Sequence, residues 1–261
     1  MGRLKVLIKE ALSAGFYNID IDSSTLVVLE REGLAAQQRD NGAVAATLTT
    51  FIRENQPEGV TVSVGGEIGE VGGHNSTVKE FEAFMGEYGR DLGGEALGIS
   101  KISVQTGTSH GGVVLADGSV AKVKLDFDVP KAISDAARTK YGLGGTVQHG
   151  ASTLPDEMFH RFPECGAVEV HMATGFQNLL YEHPAFPESF KAHVYEHMAS
   201  ACAKERKEGE TDEQFYYKTR KKGFGGALKR EWWSLPTAVR QELGSALEEK
   251  FAFLIGQLGV A

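Results

Sequence analysis

Short strand-like runs alternate with helix-length segments through most of the chain, and this alternation limits the fold more than any other feature. Apolar residues at helical spacing fill the segments between the runs. Repeated βα units of this kind favour a parallel sheet covered by helices. The strands are predicted at residues 18–22, 60–64, 101–105, 146–149 and 167–171.

Helices are predicted between the strands and after them. Ser76 is the expected N-cap of one helix, and Pro155 is expected to open another. Beyond Pro187 the chain becomes charged and amphipathic, which indicates a helical region. We therefore divide the chain into residues 1–186, which carry the βα repeat, and a C-terminal helical extension over residues 187–261. The predicted helices are residues 4–14, 41–54, 76–88, 129–141, 190–207, 211–221 and 234–258.

Charge and composition exclude several functional classes. The formal net charge of −8 argues against a general binder of nucleic acid or of membrane surfaces. No apolar run approaches the roughly 18 residues of a membrane span, and the N-terminus does not have the pattern of a signal peptide. Two cysteines are too few for a disulfide framework, which favours the cytoplasm.

Two histidines occupy equivalent places in the repeat. His110 and His149 each follow a strand-like run and are each followed by glycine, and Glu67 follows a third run. Because the carboxyl ends of parallel barrel strands meet at one rim, these three side chains are expected to converge there. Imidazoles with a carboxylate form a donor set for zinc with an open coordination position. The alternative is that both histidines are ordinary loop residues.

Small residues in the following loops indicate an anion site at the same rim. The loops after successive strands contain Gly111, Gly150, Ser152 and Thr174. Backbone N–H groups and hydroxyls in such loops bind phosphate without a basic surface. The alternative is that they are only small residues in tight turns. Further along the chain, Trp232-Trp233 is expected to serve packing or an oligomer contact.

Taken in order, five motifs make the chain resemble the class II, zinc-dependent ketose-bisphosphate aldolases, the family of fructose- and tagatose-bisphosphate aldolases. They occur in the family's order, with helix-length spacers, over about residues 4–180. The motifs are AGFYNIDIDSS at residues 14–24, GEIG…GG at 66–73, GTSHG at 107–111, LDFD at 125–128 and HGAS at 149–152.

The resemblance implies a lyase that cleaves or forms a carbon–carbon bond in a ketose bisphosphate or phosphate. It makes His110 and His149 ligands of a zinc ion that stabilises an enediolate, with Glu67 as a metal carboxylate. It also implies a cytoplasmic homo-oligomer acting on a phosphorylated sugar, without nucleic-acid or membrane partners. The residues that then fall on the family's phosphate cradle are Gly111, Gly150, Ser152, Ala173 and Thr174.

The chain departs from the family in three places. The family's Asp-His pair is absent, and the chain begins at what would be the helix before the fourth strand. We therefore expect an incomplete (β/α)8 barrel: a C-shaped sheet of five strands with 18–22 and 167–171 at its edges. Asn75 stands where the family carries a glutamate for proton transfer, and His74 beside it is the candidate replacement acid–base group. His171 stands where the family presents an asparagine, and it is a candidate polar contact in the pocket.

Two other functions stay open at this point. One is a non-catalytic aldolase-family subunit or truncated pseudoenzyme, which stabilises an active partner. The other is a different metal-dependent reaction on the same barrel, such as isomerisation or hydrolysis, because a fold does not determine a function.

Overall fold

The computed structural model describes residues 1–69, 74–94, 96–107, 114–116 and 125–260, with only the backbone at residue 153. The chain forms two compact units. The sheet unit comprises residues 1–107, 125–149 and 161–170, and the helical unit comprises residues 108–124, 150–160 and 171–261. The division proposed after residue 186 stays a prediction.

Five parallel strands in sequential order form the sheet, which is a curled half-barrel. This confirms the predicted incomplete barrel of five strands. Each strand pairs with the next one along the chain, and in the described part of the chain the sheet ends at β1 on one side and β5 on the other. The strands are β1 (Asn18–Asp20), β2 (Ser63–Gly69), β3 (Lys101–Val104), β4 (Gly145–Gln148) and β5 (Ala167–Val170).

Helices of the sheet unit cover one face of this sheet and enclose an apolar core. Ile102 and Phe84 are fully buried there, and Thr146 Oγ1 on β4 lies 3.0 Å from Ser134 Oγ on a helix. The opposite face of the strands is therefore left for polar side chains. The helices are α1 (Gly2–Ser13), α2 (Leu34–Asn55), α3 (Val78–Leu92), α4 (Asp128–Tyr141) and α5 (Arg161–Glu164).

The helical unit has its own core of aromatic residues. Tyr181 is buried among Phe186, Phe224 and Trp232, with ring centroids 5.2 to 5.6 Å from its own. Trp233 is 70% exposed, so only the first tryptophan of the pair serves packing within the unit. The helices are α6 (Thr174–Glu182), α7 (Glu188–Ala201), α8 (Asp212–Thr219), α9 (Lys229–Trp233) and α10 (Thr237–Gln257). In the described part of the chain, none of the helices has the length and apolarity needed to span a membrane.

The second strand differs most from its prediction. It begins at Ser63 and continues through Gly65, Gly66 and Glu67, which were expected to form the loop after the strand. Glycine is needed at these strand positions because neighbouring side chains occupy the space that a Cβ atom would take. A Cβ atom built on Gly65 would lie 2.1 Å from Asp20 Oδ1 and 3.1 Å from Lys101 Cε. Glu67 is therefore a strand residue and not a post-strand loop residue.

Two helix boundaries also differ from their predictions. Thr77, not Ser76, is the N-cap of α3, because its side chain accepts from the backbone N–H of Glu80 while Glu80 accepts from that of Thr77. The Ser76 hydroxyl is instead 2.9 Å from the backbone N–H of Gln105. Pro155 opens only a single 3-10 turn, Asp156–Met158, before the short helix α5.

Candidate active site

The sheet curls so far that side chains from its two edge strands meet. In a flat sheet, four spacings of about 4.8 Å would separate β1 from β5 by roughly 19 Å. Asn18 on β1 nevertheless donates from Nδ2 to Glu169 Oε2 on β5 at 3.0 Å. Alternate residues of the strands therefore converge inside the curl, on the face opposite the helices.

A buried lysine joins the polar side chains inside the curl. Lys101 on β3 is 3% exposed, and its Nζ contacts Asn18, Glu169 and Asp20 Oδ1, the last at 3.1 Å. A buried ammonium requires partners of this kind, because desolvation of an unpaired charge costs several kcal/mol. The formal charges of Lys101, Asp20 and Glu169 sum to −1, so this cluster retains an excess of negative charge.

His149 follows β4 and extends the polar cluster toward the carboxyl edge of the sheet. Its Nε2 lies 3.2 Å from the hydroxyl of Ser103, which is buried on β3. A ring nitrogen of His149 and a carboxylate oxygen of Asp20 lie within 4.8 Å of each other. Imidazole nitrogen and carboxylate oxygen are both donors that zinc accepts, so the chemistry of these two residues fits a zinc ion.

Of the other predicted metal ligands, the structure describes Glu67 but not His110. His110 lies outside the described residues, and so does Gly111 of the predicted phosphate cradle. Glu67 is half-buried on β2, and its backbone carbonyl accepts from Nδ2 of the buried Asn41 at 2.9 Å. That hydrogen bond fixes the backbone of Glu67 against α2. The metal-binding roles of His110, His149 and Glu67 remain predictions.

His74 lies at the start of α3 and is half exposed. Its Nδ1 is 2.8 Å from the carbonyl oxygen of Asn75, and its Nε2 is 3.6 Å from Glu80 Oε1. Glu80 also completes the capping box of α3. His74 is therefore a solvent-accessible imidazole beside a carboxylate, and its catalytic role stays a prediction.

The helical unit brings two parts of the predicted phosphate cradle together. The backbone N–H of Ala173 donates to Ser152 Oγ at 3.1 Å, and α6 begins at the next residue, Thr174. Because the Ser152 oxygen accepts from Ala173, its hydroxyl proton can point to a ligand. The first N–H groups of a helix have no partner within that helix, so the first turn of α6 offers donors beside Ser152. Gly150 precedes the 3-10 turn Ala151–Thr153 that carries Ser152.

His171 belongs to the helical unit and follows Val170, the last residue of β5, directly in the chain. It is therefore not a strand residue, although the predicted fifth strand included it. Its proposed part in the pocket remains a prediction.

Sequence reasoning missed four residues of the polar cluster: Asn18, Asp20, Lys101 and Glu169. A signal for them existed in the alternation of polar and apolar residues. The strands read Asn-Ile-Asp, Lys-Ile-Ser-Val and Ala-Val-Glu-Val, whereas parallel strands buried on both faces are usually apolar throughout. Polar residues at every second position therefore indicate a polar interior.

Comparison with known protein families gives a match over most of the chain. The sequence pattern of the family described as fructose-bisphosphate aldolase class-II matches residues 5–221. No protein with a curated description matches the chain.

Solved structures share the fold at low sequence identity. A fructuronate-tagaturonate epimerase from Cohnella laeviribosi is 11% identical with a TM-score of 0.60, and covers 97% of this chain. A probable tagatose 6 phosphate kinase from Sinorhizobium meliloti 1021 is 16% identical with a TM-score of 0.58, again over 97% of this chain. A fructose-bisphosphate aldolase from Campylobacter jejuni is 14% identical with a TM-score of 0.52, also over 97% of this chain.

The chain spans 66%, 66% and 64% of the lengths of these three structures, respectively. Their similarity establishes the fold alone. The match to the family's sequence pattern over residues 5–221 establishes the family. Five of the eight strands of a complete barrel are present in the described sheet, with the family's motifs in order. The chain belongs to the class-II fructose-bisphosphate aldolase family.

Proposed function

We propose that this protein acts as an aldolase-type lyase on a ketose bisphosphate or phosphate, with zinc as its cofactor. The family match over residues 5–221 carries the proposal. It is supported by His149 at the carboxyl end of β4, where barrel enzymes place their catalytic groups, and by the Ser152–Ala173 contact beside the first turn of α6. We also propose that it works in the cytoplasm as a homo-oligomer, without nucleic acid or membrane as a partner.

His149, His110 and Glu67 would hold the zinc ion in this proposal. The bound ion would supply Lewis-acid polarisation of the ketone and charge stabilisation of the enediolate during cleavage of the carbon–carbon bond. Ser103 orients the His149 ring through its hydroxyl, 3.2 Å from Nε2. Orientation by such a neighbour is expected to matter for metal affinity.

The remaining predicted residues are assigned to substrate binding and proton transfer. The Ser152 hydroxyl and the first turn of α6 at Thr174 would bind a phosphate oxygen, with Gly111, Gly150 and Ala173 shaping the loops. His74 is half exposed and lies 3.6 Å from Glu80 Oε1, so its imidazole is accessible to exchange a proton with substrate. His171 is proposed as a further polar contact to the substrate.

The test is zinc-dependent cleavage of fructose 1,6-bisphosphate and tagatose 1,6-bisphosphate, followed by enzymatic detection of the triose phosphates. We expect the full chain loaded with zinc to cleave at least one of them. We expect His149→Ala to lower both zinc content and cleavage, the latter by at least about 100-fold. His193→Ala is the matched control, because His193 is half exposed on α7 and contacts Glu231 at 3.3 Å.

Zinc-loaded protein that cleaves neither these bisphosphates nor the corresponding ketose 1-phosphates would refute the lyase proposal and favour the non-catalytic subunit. Unchanged zinc content in His149→Ala would remove His149 from the metal site. Equal loss in the His193 control would show that the effect is not specific to the site.

A further inference from the structure

We propose that Asp20 is a metal ligand that acts together with His149, and that Lys101 and Glu169 set the charge of this site. The inference rests on the proposed function in taking zinc as the ion and His149 as one of its ligands. Asp20 has no counterpart among the ligands predicted from the sequence, which were His110, His149 and Glu67. It is assigned here from the geometry of the sheet unit.

The two donor atoms are close enough to share an ion. A carboxylate oxygen of Asp20 and a ring nitrogen of His149 lie within 4.8 Å of each other. Two ligands at about 2.0–2.1 Å from one tetrahedral zinc are about 3.3 Å apart. A rotation of either side chain by about 1.5 Å at its tip therefore suffices to bind the ion, without movement of the strands.

The surrounding charges favour a divalent cation at Asp20. Lys101 Nζ contacts both Asp20 Oδ1 and Glu169 Oε2, and also Asn18 Oδ1. Since Glu169 and Asn18 already supply two partners for the buried ammonium, Asp20 can give its oxygen to a metal without leaving Lys101 unpaired. The excess formal charge of −1 in this cluster adds attraction for a cation.

An ion can reach Asp20 from solvent. Its side chain is 21% exposed, in contrast to 3% for Lys101. Asp20 also lines a cavity of about 370 Å³ at the edge of the sheet, together with Asn18 and the apolar residues of α1. The Asp20 carboxylate is therefore accessible to an ion, while its contact with the buried Lys101 holds it in position.

The decisive experiment is equilibrium dialysis of the full chain against Zn²⁺, with the absorption spectrum of the Co²⁺-loaded protein as a second readout. We expect Asp20→Asn to weaken Zn²⁺ binding at least about 10-fold and to alter the Co²⁺ spectrum, because an amide is a poor replacement for a carboxylate ligand. Asp22→Asn is the matched control: Asp22 lines the same cavity but is exposed, and its Oδ1 accepts from the backbone N–H and the hydroxyl of Ser24. It should bind Zn²⁺ within about twofold of the wild type.

Lys101→Met gives an independent test that keeps the proposed ligand. Removal of the ammonium leaves Asp20 and Glu169 without their shared cation, so Zn²⁺ should bind at least as tightly as in the wild type. Asp20→Asn combined with Lys101→Met removes both members of the ion pair and keeps the test valid where Asp20→Asn alone fails to fold. The double variant should bind Zn²⁺ at least about 10-fold more weakly than Lys101→Met alone. Weaker Zn²⁺ binding in Lys101→Met than in Asp22→Asn would overturn the charge argument.

Failure of this inference is distinguishable from failure of the lyase proposal. Wild-type affinity and an unchanged Co²⁺ spectrum in Asp20→Asn would overturn Asp20 as a ligand, even if the protein cleaves a bisphosphate. Binding of Zn²⁺ that depends on Asp20 and His149 in a protein that cleaves neither a ketose bisphosphate nor a ketose phosphate would sustain the inference and refute the lyase proposal.

Discussion

Gly69, the last residue of β2, stands at a position that has no room for a side chain. Its φ is +67°, and a Cβ atom built there would lie 2.3 Å from Ser24 Oγ and 2.4 Å from Ser24 Cβ. We expect Gly69→Ala to lower the free energy of unfolding by at least about 2 kcal/mol, because it adds left-handed backbone strain to a steric clash. Chemical denaturation followed by far-UV circular dichroism measures this change.

Gly86→Ala is the control for this prediction. Gly86 lies in the interior of α3, and a Cβ atom there would meet nothing within 4 Å. The substitution should raise the free energy of unfolding by roughly 0.5–1 kcal/mol, because alanine is the better helix former. A loss of equal size in both variants would show that a shared effect on the unfolded chain, not the clash, dominates.

Residue by residue, the candidate site was only partly predictable. His149 and Ser152 could be found because each stands next to glycine or a small residue directly after a strand-like run. Asp20 could not be selected in the same way, because its partner His149 is distant in sequence and the two meet only through the curl of the sheet. The same holds for Lys101, whose partners lie on β1 and β5.

At the scale of elements, the packing of α6 rests on one buried tyrosine. Tyr181 is 1% exposed, and its hydroxyl donates to the carbonyl oxygen of Arg220 at 2.9 Å. Burial raises the pKa of Tyr181 well above its ordinary value of 10.0. The folded state therefore favours the neutral phenol, so this contribution to stability is present below pH 10 and is lost as the pH rises above it, where the unfolded chain ionises first.

We expect Tyr181→Phe to reduce this alkaline loss of stability. At neutral pH the variant should lose about 1 kcal/mol with its hydrogen bond. Above pH 10 its free energy of unfolding should fall less steeply than that of the wild type, by up to about 1.4 kcal/mol per pH unit. Denaturation near pH 8 and near pH 11 measures the slope. Tyr216→Phe, at a half-buried position on α8, is the control and should keep the wild-type slope. Parallel slopes for Tyr181→Phe and the wild type would contradict the prediction.

Most helices and strands could be predicted from the sequence. Their exact boundaries and the shortest helices could not. The four helices of the βα repeat were placed correctly, but α2 begins at Leu34, seven residues before its predicted start. Gln38 lies in the missed first turns and Asn41 at the predicted start; both are polar yet buried, because Asn41 Nδ2 donates to Gln38 Oε1 and to the backbone carbonyl of Glu67. Hydrophobic periodicity cannot detect a helix face made of such residues. The helix α6 went unpredicted.

At the scale of the whole molecule, β1 is an edge strand of the sheet that the described residues form, and exposed apolar residues lie beside it. Leu7 is 60% and Phe16 is 64% exposed, and both line the cavity at β1. Unpaired strand edges and exposed apolar patches promote association between molecules. We therefore expect Leu7→Lys to reduce concentration-dependent association, measured by light scattering after size-exclusion chromatography.

Leu97→Lys is the control for the edge prediction. Leu97 is 58% exposed, nearly as much as Leu7, but lies in the loop before β3 and does not line that cavity. Its substitution adds the same charge elsewhere in the sheet unit. Equal association of the two variants and the wild type would show that the apolar residues at the edge do not drive association.

The placement of the two tryptophans determines what an optical experiment on this protein can observe. Both indoles, at positions 232 and 233, lie in the helical unit, and the chain has only these two. Trp232 is inserted among aromatic rings, with its Nε1 donating to the carbonyl of Gly223 at 2.8 Å. Tryptophan emission therefore originates in the helical unit. A test of the proposed zinc binding at His149 needs a probe in the sheet unit, and Phe84→Trp, behind β2 and β3, introduces one.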